Sequence, residues 1–336
     1  MRRAEPDTSD NFYPATPISP TLAHTKYSTT GLHLSNYLEV TYILQRPPMN
    51  TTKISPPIKA VFFDIGGVVI KSPLIAIHAY EREKGLPKDW LNVFITRRGQ
   101  RGAWQRFERG ELELYPFYTL FGDELSDTEL GNQYYREWCQ SKNVEVPALP
   151  KSVKIDGREL FGRMMRSNDF DPYVLRAIHK LRESNKYRIV ALTNNYSAQY
   201  ERIRDTPSKQ GTHQFSPKAE LEFLGWGEAV GGPAGPKIRA LFDDFVDSSV
   251  VGSRKPEPGI YQYACKANGV SPNEVVFLDD LGLNLKTAQR LGMRTIHVPI
   301  GGSRRAVEQL QQLLGIQLLD NENENSNSQP KGIPKL

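Results

Sequence analysis

The stretch Lys59–Val69 reads KAVFFDIGGVV, and the fold of the whole chain can be worked out from it. Its first half is a short apolar run, which is typical of a strand buried on both faces of a parallel sheet. Asp64 follows this run directly, and two glycines then permit a tight turn. Ligands of open α/β sheets bind at the carboxyl ends of the strands. Asp64 is therefore predicted to lie at a binding edge, although an Asp that only caps a turn gives the same pattern.

Three further segments resemble this first strand. They are Arg188–Leu192 (RIVAL), Glu274–Asp279 (EVVFLD) and Arg294–Val298 (RTIHV). Segments with helical spacing of apolar residues separate them, and one such helix is expected to begin at Asp171–Pro172, an N-cap followed by a first-turn proline. Near-continuous apolar strands that alternate with helices indicate an α/β fold, a Rossmann-like parallel sheet with helices on both faces.

The chain divides into segments of different composition. Residues 58–71 and 166–318 are predicted to form the α/β core, and residues 72–165, which are charged, aromatic and helical in pattern, an inserted helical cap domain. Residues 1–57 are rich in Pro, Thr and Ser, and residues 319–336 contain NENENSNSQPKG. Such polar segments cannot bury a core, so both are expected to be mostly disordered tails.

Two stretches within this frame have ambiguous patterns. The connection Arg202–Lys237 is dense in Gly and Pro and is predicted to be an irregular surface loop. The stretch Thr96–Glu111 is dense in Arg, and it could present Arg98, Trp104 or Glu108 to a substrate. A charged helix face on the cap surface explains the same stretch equally simply.

The composition narrows the classes of partner. Cys139 and Cys265 lie far apart without CxxC spacing, which favours a reducing, cytoplasmic compartment and opposes a structural zinc site. No stretch approaches the roughly 18 apolar residues of a membrane-spanning helix. The formal net charge of +5 is modest and does not indicate a nucleic-acid partner. We therefore expect neither membrane nor nucleic acid as a partner, and nothing in the sequence indicates an oligomeric state.

Polar groups that could carry chemistry follow the predicted strands. Thr193 and Asn194 end the second strand and could donate hydrogen bonds to a phosphoryl oxygen, or they could form an ordinary polar turn. Lys255 precedes Pro256, which favours an extended backbone at the lysine and places it on a loop at the sheet edge. There it could neutralise a phosphate and hold a carboxylate, or it could be an ordinary exposed lysine.

The segment after the third of these strands carries adjacent carboxylates, Asp279 and Asp280. Two such groups at the end of a buried strand repel each other unless a cation compensates. With Asp64 they supply the all-oxygen ligand set that Mg²⁺ prefers. An Asp N-cap beside a solvated Asp is the alternative, but it does not explain why both residues are acidic.

These signals occur in one order: Asp after a strand, Thr-Asn after a strand, Lys before a helix, and Asp-Asp after a strand. In this order, and in the motifs DIGGVV, ALTNN, SRKPEPGIYQYA and FLDDLGLNLKTAQRLGM, the region Lys59–Gly315 resembles the haloacid dehalogenase superfamily of hydrolases. The motifs are most similar to the subgroup that contains the N-terminal phosphatase domain of soluble epoxide hydrolase. The resemblance implies a Mg²⁺-dependent hydrolase that acts on a small phosphorylated substrate.

The resemblance also implies a role for each matching residue. Asp64 matches the nucleophile, which forms an aspartyl-phosphate, and Lys255 matches the lysine that orients it. Thr193 and Asn194 match residues that bind the transferring group, and Asn284 matches a further polar residue of the substrate site.

The resemblance places the metal among acidic residues and one backbone carbonyl. Asp64 and Asp280 match metal ligands, Asp279 supports the metal shell, and the carbonyl of Gly66 matches a further contact. Gly66 is also a departure, because most phosphatases of the superfamily carry a second Asp at this position. That Asp protonates the leaving group and then activates water, so another group would have to replace it here.

Three functions fit these observations. The leading one is hydrolysis of a small phosphate monoester. A 2-haloacid dehalogenase, in which Asp64 attacks carbon, suits Gly66 but needs no metal, whereas Asp279 and Asp280 suit one. A catalytically weak domain that binds a phosphorylated ligand is also consistent with Gly66, although the presence of Asp64, Lys255 and Asp280 opposes it.

Overall fold

A computed structural model describes residues 57–166, 169–205 and 216–320 of the chain. These residues fall within one compact unit, Ile54–Leu336. The two predicted tails, residues 1–57 and 319–336, lie almost entirely outside the described residues, and their disorder stays a prediction.

The centre of the fold is a sheet of five parallel strands. They are β1 (Ala60–Phe63), β2 (Arg188–Thr193), β3 (Asp244–Asp247), β4 (Val275–Asp279) and β5 (Arg294–His297), in the spatial order β3-β2-β1-β4-β5. The predicted parallel α/β sheet is confirmed, and each of the four predicted strands is present. The sequence analysis missed β3, because its four residues, DFVD, begin and end with Asp and contain no longer apolar run.

The register of the sheet brings the polar strand ends together. Phe63 of β1 pairs with Ala191 of β2 on one side and with Leu278 of β4 on the other. Asp64 therefore emerges between the carboxyl ends of its two neighbouring strands. The strand order also reverses between β1 and β4, and such a switch point opens a crevice at the carboxyl edge.

Helices cover both faces of the sheet, as predicted. On one face, α7 (Pro172–Ser184) and α14 (Ser303–Leu314) pack against it, and on the other, α12 (Pro258–Ala267) and α13 (Gly282–Arg290) do so. The predicted start of α7 is confirmed, since the Asp171 side chain accepts hydrogen bonds from the backbone N–H groups of Tyr173 and Val174.

A separate group of helices follows β1, and we call it the cap. It consists of α1 (Leu74–Glu83), α2 (Trp90–Arg97), α3 (Ala103–Glu108), α4 (Leu114–Ser126), α5 (Thr128–Lys142) and α6 (Gly157–Met165), with a 3₁₀ turn at Gly99–Arg101. Its apolar core is rich in aromatic rings, and Phe107 stacks on Phe117 with a centroid separation of 4.0 Å. None of the helices in the described part of the chain combines the length and the apolar character needed to cross a bilayer.

The segment predicted to be an irregular surface loop is partly helical and partly buried, so that prediction is wrong for its described residues. After α8 (Ser197–Arg204), the chain forms α9 (Pro217–Phe223), and α10 (Pro236–Arg239) and α11 (Ser248–Val251) flank β3. Trp226 is 2% exposed and packs against Phe161 of the cap. Glu220 is fully buried, where Arg158 and the Tyr118 hydroxyl bind its carboxylate. The many Gly and Pro residues of the segment obscured these contacts.

Candidate active site

Asp64 lies at the centre of the site, directly after β1, and is 7% exposed. Its Oδ1 accepts a hydrogen bond from the backbone N–H of Ile65 at 2.7 Å and lies 2.8 Å from Lys255 Nζ. Burial raises the pKa of Asp64 well above its usual value, with Lys255 opposing that shift and Asp279 adding to it. Both contacts fall on Oδ1, so Oδ2 has no hydrogen-bond partner in the described part of the chain.

Lys255 is 1% exposed and lies between two carboxylates, so the alternative of an ordinary exposed lysine is wrong. Its Nζ lies 2.8 Å from Asp64 Oδ1 and 2.7 Å from Asp279 Oδ2. Burial acts to lower the pKa of Lys255, but the charges of Asp279 and Asp64 outweigh it and raise the pKa. The lysine is therefore an ammonium ion that offsets the charge of the two carboxylates beside it.

The Asp279 carboxylate is saturated by protein donors. Besides Lys255, the Asn284 side-chain amide donates to both of its oxygens at 3.0 and 3.1 Å, and the backbone N–H of Leu281 donates to Oδ1 at 2.8 Å. A carboxylate with this many partners is fixed in position. Asp279 thus fixes the position of the Lys255 ammonium group, and the Asn284 amide fixes the position of the Asp279 carboxylate.

Asn194 contacts the backbone of Lys255 at two points. Its amide Nδ2 donates to the carbonyl of Lys255 at 3.0 Å, and its Oδ1 accepts from the backbone N–H of Lys255 at 2.8 Å. The neighbouring Thr193 is 3% exposed, and its hydroxyl donates to the carbonyl of Asn194 at 3.2 Å. The structure thus brings both predicted residues to the site and adds a positioning contact that the sequence did not indicate.

A divalent cation fits the carboxylates of this site. Ligand atoms of Asp64, Asp279 and Asp280 lie within 4.8 Å of one another. Three carboxylates beside one ammonium leave an excess of two negative charges if all are ionised, and carboxylate oxygens are the ligands that Mg²⁺ favours. Burial and the charge of Asp279 raise the pKa of Asp280 to about 7. Since Asp279 is occupied by donors, Asp64 and Asp280 are the better placed ligands.

Gly67 allows Asp280 to approach the loop after β1. It has φ +87°, and a Cβ at this position would lie 2.1 Å from Asp280 Oδ2. Gly66 differs from it, because its φ lies outside the left-handed region and a Cβ would meet only Pro73, at 3.5 Å. Gly66 also lines the cavity beside Asp64.

A cavity of about 450 Å³ opens over these groups. Its base is polar and contains Asp64, Lys255 and Asp280. Its walls are largely apolar and come from the loop after β1, from the cap and from the segment after β2; they include Ile70, Leu74, Ile77, Ile95, Trp104, Met164, Tyr196 and Trp226. The cavity therefore combines a charged base with largely apolar walls.

Of the three residues named in the arginine-rich stretch of the cap, two line this cavity and one does not. Glu108 is 4% exposed, lines the cavity and forms an ion pair with Arg254, so the alternative of a charged surface face is wrong for this residue. Burial raises the pKa of Glu108, against the opposing effect of Arg254. Trp104 also lines the cavity, whereas Arg98 pairs with Glu124 inside the cap at 3.2 Å. The sequence analysis did not identify Arg254 as the partner of Glu108, because the only available signal was its position beside Lys255.

A parallel α/β sheet with a buried Asp–Lys–Asp arrangement at the carboxyl ends of its strands, below a helical cap, defines a class of hydrolases with an aspartate at the end of the first strand. The chain belongs to the haloacid dehalogenase-like hydrolase family, whose sequence model matches residues 58–292. The predicted resemblance is confirmed.

Three relatives illustrate the range of similarity. Acyl-CoA dehydrogenase family member 10 of Mus musculus is 29% identical over 263 residues, covering 77% of this chain and 19% of that protein. Bifunctional epoxide hydrolase 2 of Mus musculus is 46% identical over 261 residues, covering 77% and 39%. A sesquiterpene phosphatase of Aspergillus oryzae is 35% identical over 261 residues, covering 76% and 97%. The chain thus spans less than half the length of the first two proteins.

The two glycines after Asp64, Gly66 and Gly67, provide a matched pair of variants. Gly67→Ala is expected to destabilise the fold by about 1 to 3 kcal/mol, because the new Cβ meets Asp280 and the backbone is left-handed. Gly66→Ala, one residue earlier, is expected to change stability little. Thermal melts of both variants check this, and equal melting temperatures would contradict the assigned difference.

Mg²⁺ binding is expected to stabilise the protein more at pH 8 than at pH 6. In the metal-free protein the pKa of Asp280 is raised from 3.8 to about 7, so at pH 6 a proton must leave before the carboxylate can bind the ion. At a free Mg²⁺ concentration of about 100 Kd, the stabilisation is about 2.7 kcal/mol. Thermal shift at both pH values measures the difference. Asp280→Asn serves as the control and is expected to show almost no shift, and equal shifts of the wild type at both pH values would oppose this assignment.

Proposed function

We propose that the protein is a Mg²⁺-dependent phosphatase that hydrolyses phosphate monoesters with an apolar alcohol group, through an aspartyl-phosphate at Asp64. One observation carries the proposal: the carboxylates of Asp64 and Asp279, which are buried, and of Asp280, which is partly buried, outnumber the single positive charge of Lys255. A dehalogenase, which works without a metal, would have no use for this surplus. A metal ion bound by these carboxylates would offset their surplus negative charge and that of a phosphate dianion.

Asp64 and Asp280, with the backbone carbonyl of Gly66, would hold the ion. When bound, Mg²⁺ would offset negative charge on the phosphoryl oxygens. Lys255 would add a second positive charge on the side of Asp64 Oδ1, where its Nζ lies at 2.8 Å. One oxygen of Asp64 would contact the ion, and the other would attack phosphorus.

The reaction would take two steps. An oxygen of Asp64 forms a bond to phosphorus as the bond to the ester oxygen breaks, and the departing alkoxide takes up a proton to become the alcohol. Water then attacks phosphorus and gives up a proton, the acyl-phosphate P–O bond breaks, the Asp64 carboxylate is regenerated and inorganic phosphate is released. The proton given up by water balances the one taken up by the alkoxide. Thr193 and Asn194 line the cavity at this point and are proposed to contact the transferring group. Gly66 supplies no proton to the alkoxide because it has no side chain.

The walls of the cavity support an apolar group on the ester. Indole, thioether and aliphatic side chains surround the space above Asp64, among them Trp104, Met164 and Trp226. Burial of apolar surface contributes about 25 cal/mol per Å², so a hydrocarbon group would add substantially to affinity. The sesquiterpene phosphatase among the relatives is consistent with this class of substrate.

The first test is a screen of phosphate esters and 2-chloroacids, with and without Mg²⁺. We expect phosphate release that depends on Mg²⁺ and that disappears after chelation. Asp64→Asn is expected to abolish turnover while the fold stays intact, because an amide is nearly isosteric but a poor nucleophile. Chloride release without metal would identify a dehalogenase. Binding of phosphate without turnover of any ester would identify a ligand-binding domain.

The second test concerns the missing acid at Gly66. General acid catalysis contributes about 10² to 10⁴ in rate, so the wild type is expected to be slow toward alkyl phosphates and less impaired toward aryl phosphates. Gly66→Asp is expected to narrow this gap, because the backbone there is not left-handed and the nearest atom to a new Cβ is 3.5 Å away. The measurement is the ratio of alkyl to aryl kcat in both proteins. Equal rates in the wild type would show that another group supplies the proton, and Glu108→Ala would then be the variant to measure.

A further inference from the structure

The end of α3 meets the loop that carries Lys255 through two ion pairs of opposite polarity. Glu108 of the cap pairs with Arg254, and Arg109 of the cap pairs with Glu257 at 3.1 Å. The exposed fractions of the side chains are 6% and 13% in the first pair and 12% and 22% in the second, so both pairs are shielded from water. We call these four residues the clamp. Its two core members stand on either side of Lys255 in the sequence.

We call Arg109 and Glu257 the outer pair, and the contact between the cap and the loop of Lys255 the seam. Each member of the outer pair also forms hydrogen bonds on its own side of the seam. Glu257 Oε2 accepts from the backbone N–H of Arg254 at 3.2 Å and from the Ser253 hydroxyl at 3.0 Å, which leaves Oε1 for Arg109. Arg109 also donates to the carbonyl of Gln100 at 2.6 Å and pairs with Glu111, a neighbour within the cap, at 2.5 Å. The Arg109–Glu257 ion pair thus joins the end of α3 to the loop that carries Lys255, and hydrogen bonds hold each partner in place on its own side.

A buried hydroxyl provides a second connection between the cap and the site. Ser248 is fully buried, and its Oγ donates to the carbonyl of Glu108 at 2.5 Å and accepts from the backbone N–H of Asn195 at 3.0 Å. Asn195 follows Asn194, whose side chain holds the backbone of Lys255. The cap is therefore linked directly to the loop of Lys255 and, through Ser248, to the loop of Asn194 and Asn195.

We propose that the clamp is a positioning device, which couples the placement of the cap to the placement of Lys255 beside Asp64. The acidic partner lies on the cap in one ion pair and on the core in the other, and this opposite polarity makes the alignment of the cap with the loop specific. Exchange of partners would set Glu108 against Glu257 and Arg109 against Arg254, and like charges at short range repel. A displaced cap would therefore release the loop of the lysine as well as the walls of the cavity.

The outer pair is the one to test, since neither Arg109 nor Glu257 lines the cavity. The variants are Arg109→Glu, Glu257→Arg and the double reversal, assayed with an aryl phosphate well below every melting temperature, so that loss of stability alone leaves kcat unchanged. Misplacement of a catalytic group by about 1 Å can cost about 100-fold, so each single reversal is expected to lower kcat by about 10- to 100-fold. The double reversal restores the ion pair between positions 109 and 257 but not the pair of Arg109 with Glu111, so it is expected to recover part of the loss.

The matched control is Arg97→Glu, which breaks an ion pair with Glu137 at 2.8 Å inside the cap. It makes the same change of charge away from the seam, and kcat is expected to stay within about twofold of wild type, as for most half-exposed pairs. Single reversals with wild-type kcat, or a double reversal no better than the worse single variant, would overturn the proposal. If Arg109→Glu does not fold, Arg109→Gln takes its place.

Because the proposal rests on the proposed phosphatase function, a second measurement does not use activity. The backbone N–H groups of Arg254 and Lys255 donate to Glu257 and Asn194, and their hydrogen exchange reports on the loop. Arg109→Glu is expected to accelerate this exchange by about tenfold, with exchange in β1 unchanged and Arg97→Glu without effect. Unchanged loop exchange in Arg109→Glu would refute the coupling. An inactive wild type that still shows the coupling would refute only the phosphatase.

Discussion

The ammonium group of Lys255, fully enclosed between the carboxylates of Asp64 and Asp279, is the interaction around which the rest of the site is arranged. Removing charges from water costs several kcal/mol per ion, and only close partners with good geometry offset that cost. The distances of 2.7 and 2.8 Å meet this condition. They also explain why several neighbouring groups fix the lysine and its partners.

Asn194 and Asn284 illustrate this dependence. One amide holds the backbone of Lys255 and the other holds the carboxylate of Asp279, so neither end of the ion pair is free to turn. Such support from hydrogen bonds keeps a reactive group within the narrow range of geometry that chemistry requires. The sheet supplies the rest, because the pairing of β1 with β2 and β4 fixes where each side chain begins.

The sequence predicted those parts of the protein that depend on local pattern. Apolar runs gave four of the five strands, the Asp–Pro pair gave the start of α7, and the order of Asp64, Thr193, Lys255 and Asp280 gave the candidate site. β3 was missed because four residues bounded by Asp carry too little periodic signal. In the described part of 202–237, Gly and Pro suggested a loop, whereas Glu220 and Trp226 are buried through long-range contacts that no local pattern records.

The same limit applies inside the site. The residue types suggested that Asn194 binds substrate, but its contact with the backbone of Lys255 joins residues 61 positions apart. The burial of Glu108 likewise depends on Arg254, which lies 146 residues further along the chain. Chemistry-bearing residues could be found from the sequence, whereas the groups that hold them in place required the tertiary structure.

Trp226 lies in the segment between β2 and β3, yet it packs in the apolar core of the cap. In the same segment, the buried Glu220 is bound by Arg158 of α6. This part of the cavity wall is therefore encoded by a stretch of sequence that carries none of Asp64, Lys255 or Asp280. Substitutions in this segment can alter the shape of the space above Asp64 while the strand ends below keep their register. Divergence of substrate range within such a family can accordingly proceed by drift in the walls, without a period in which the reaction itself is lost.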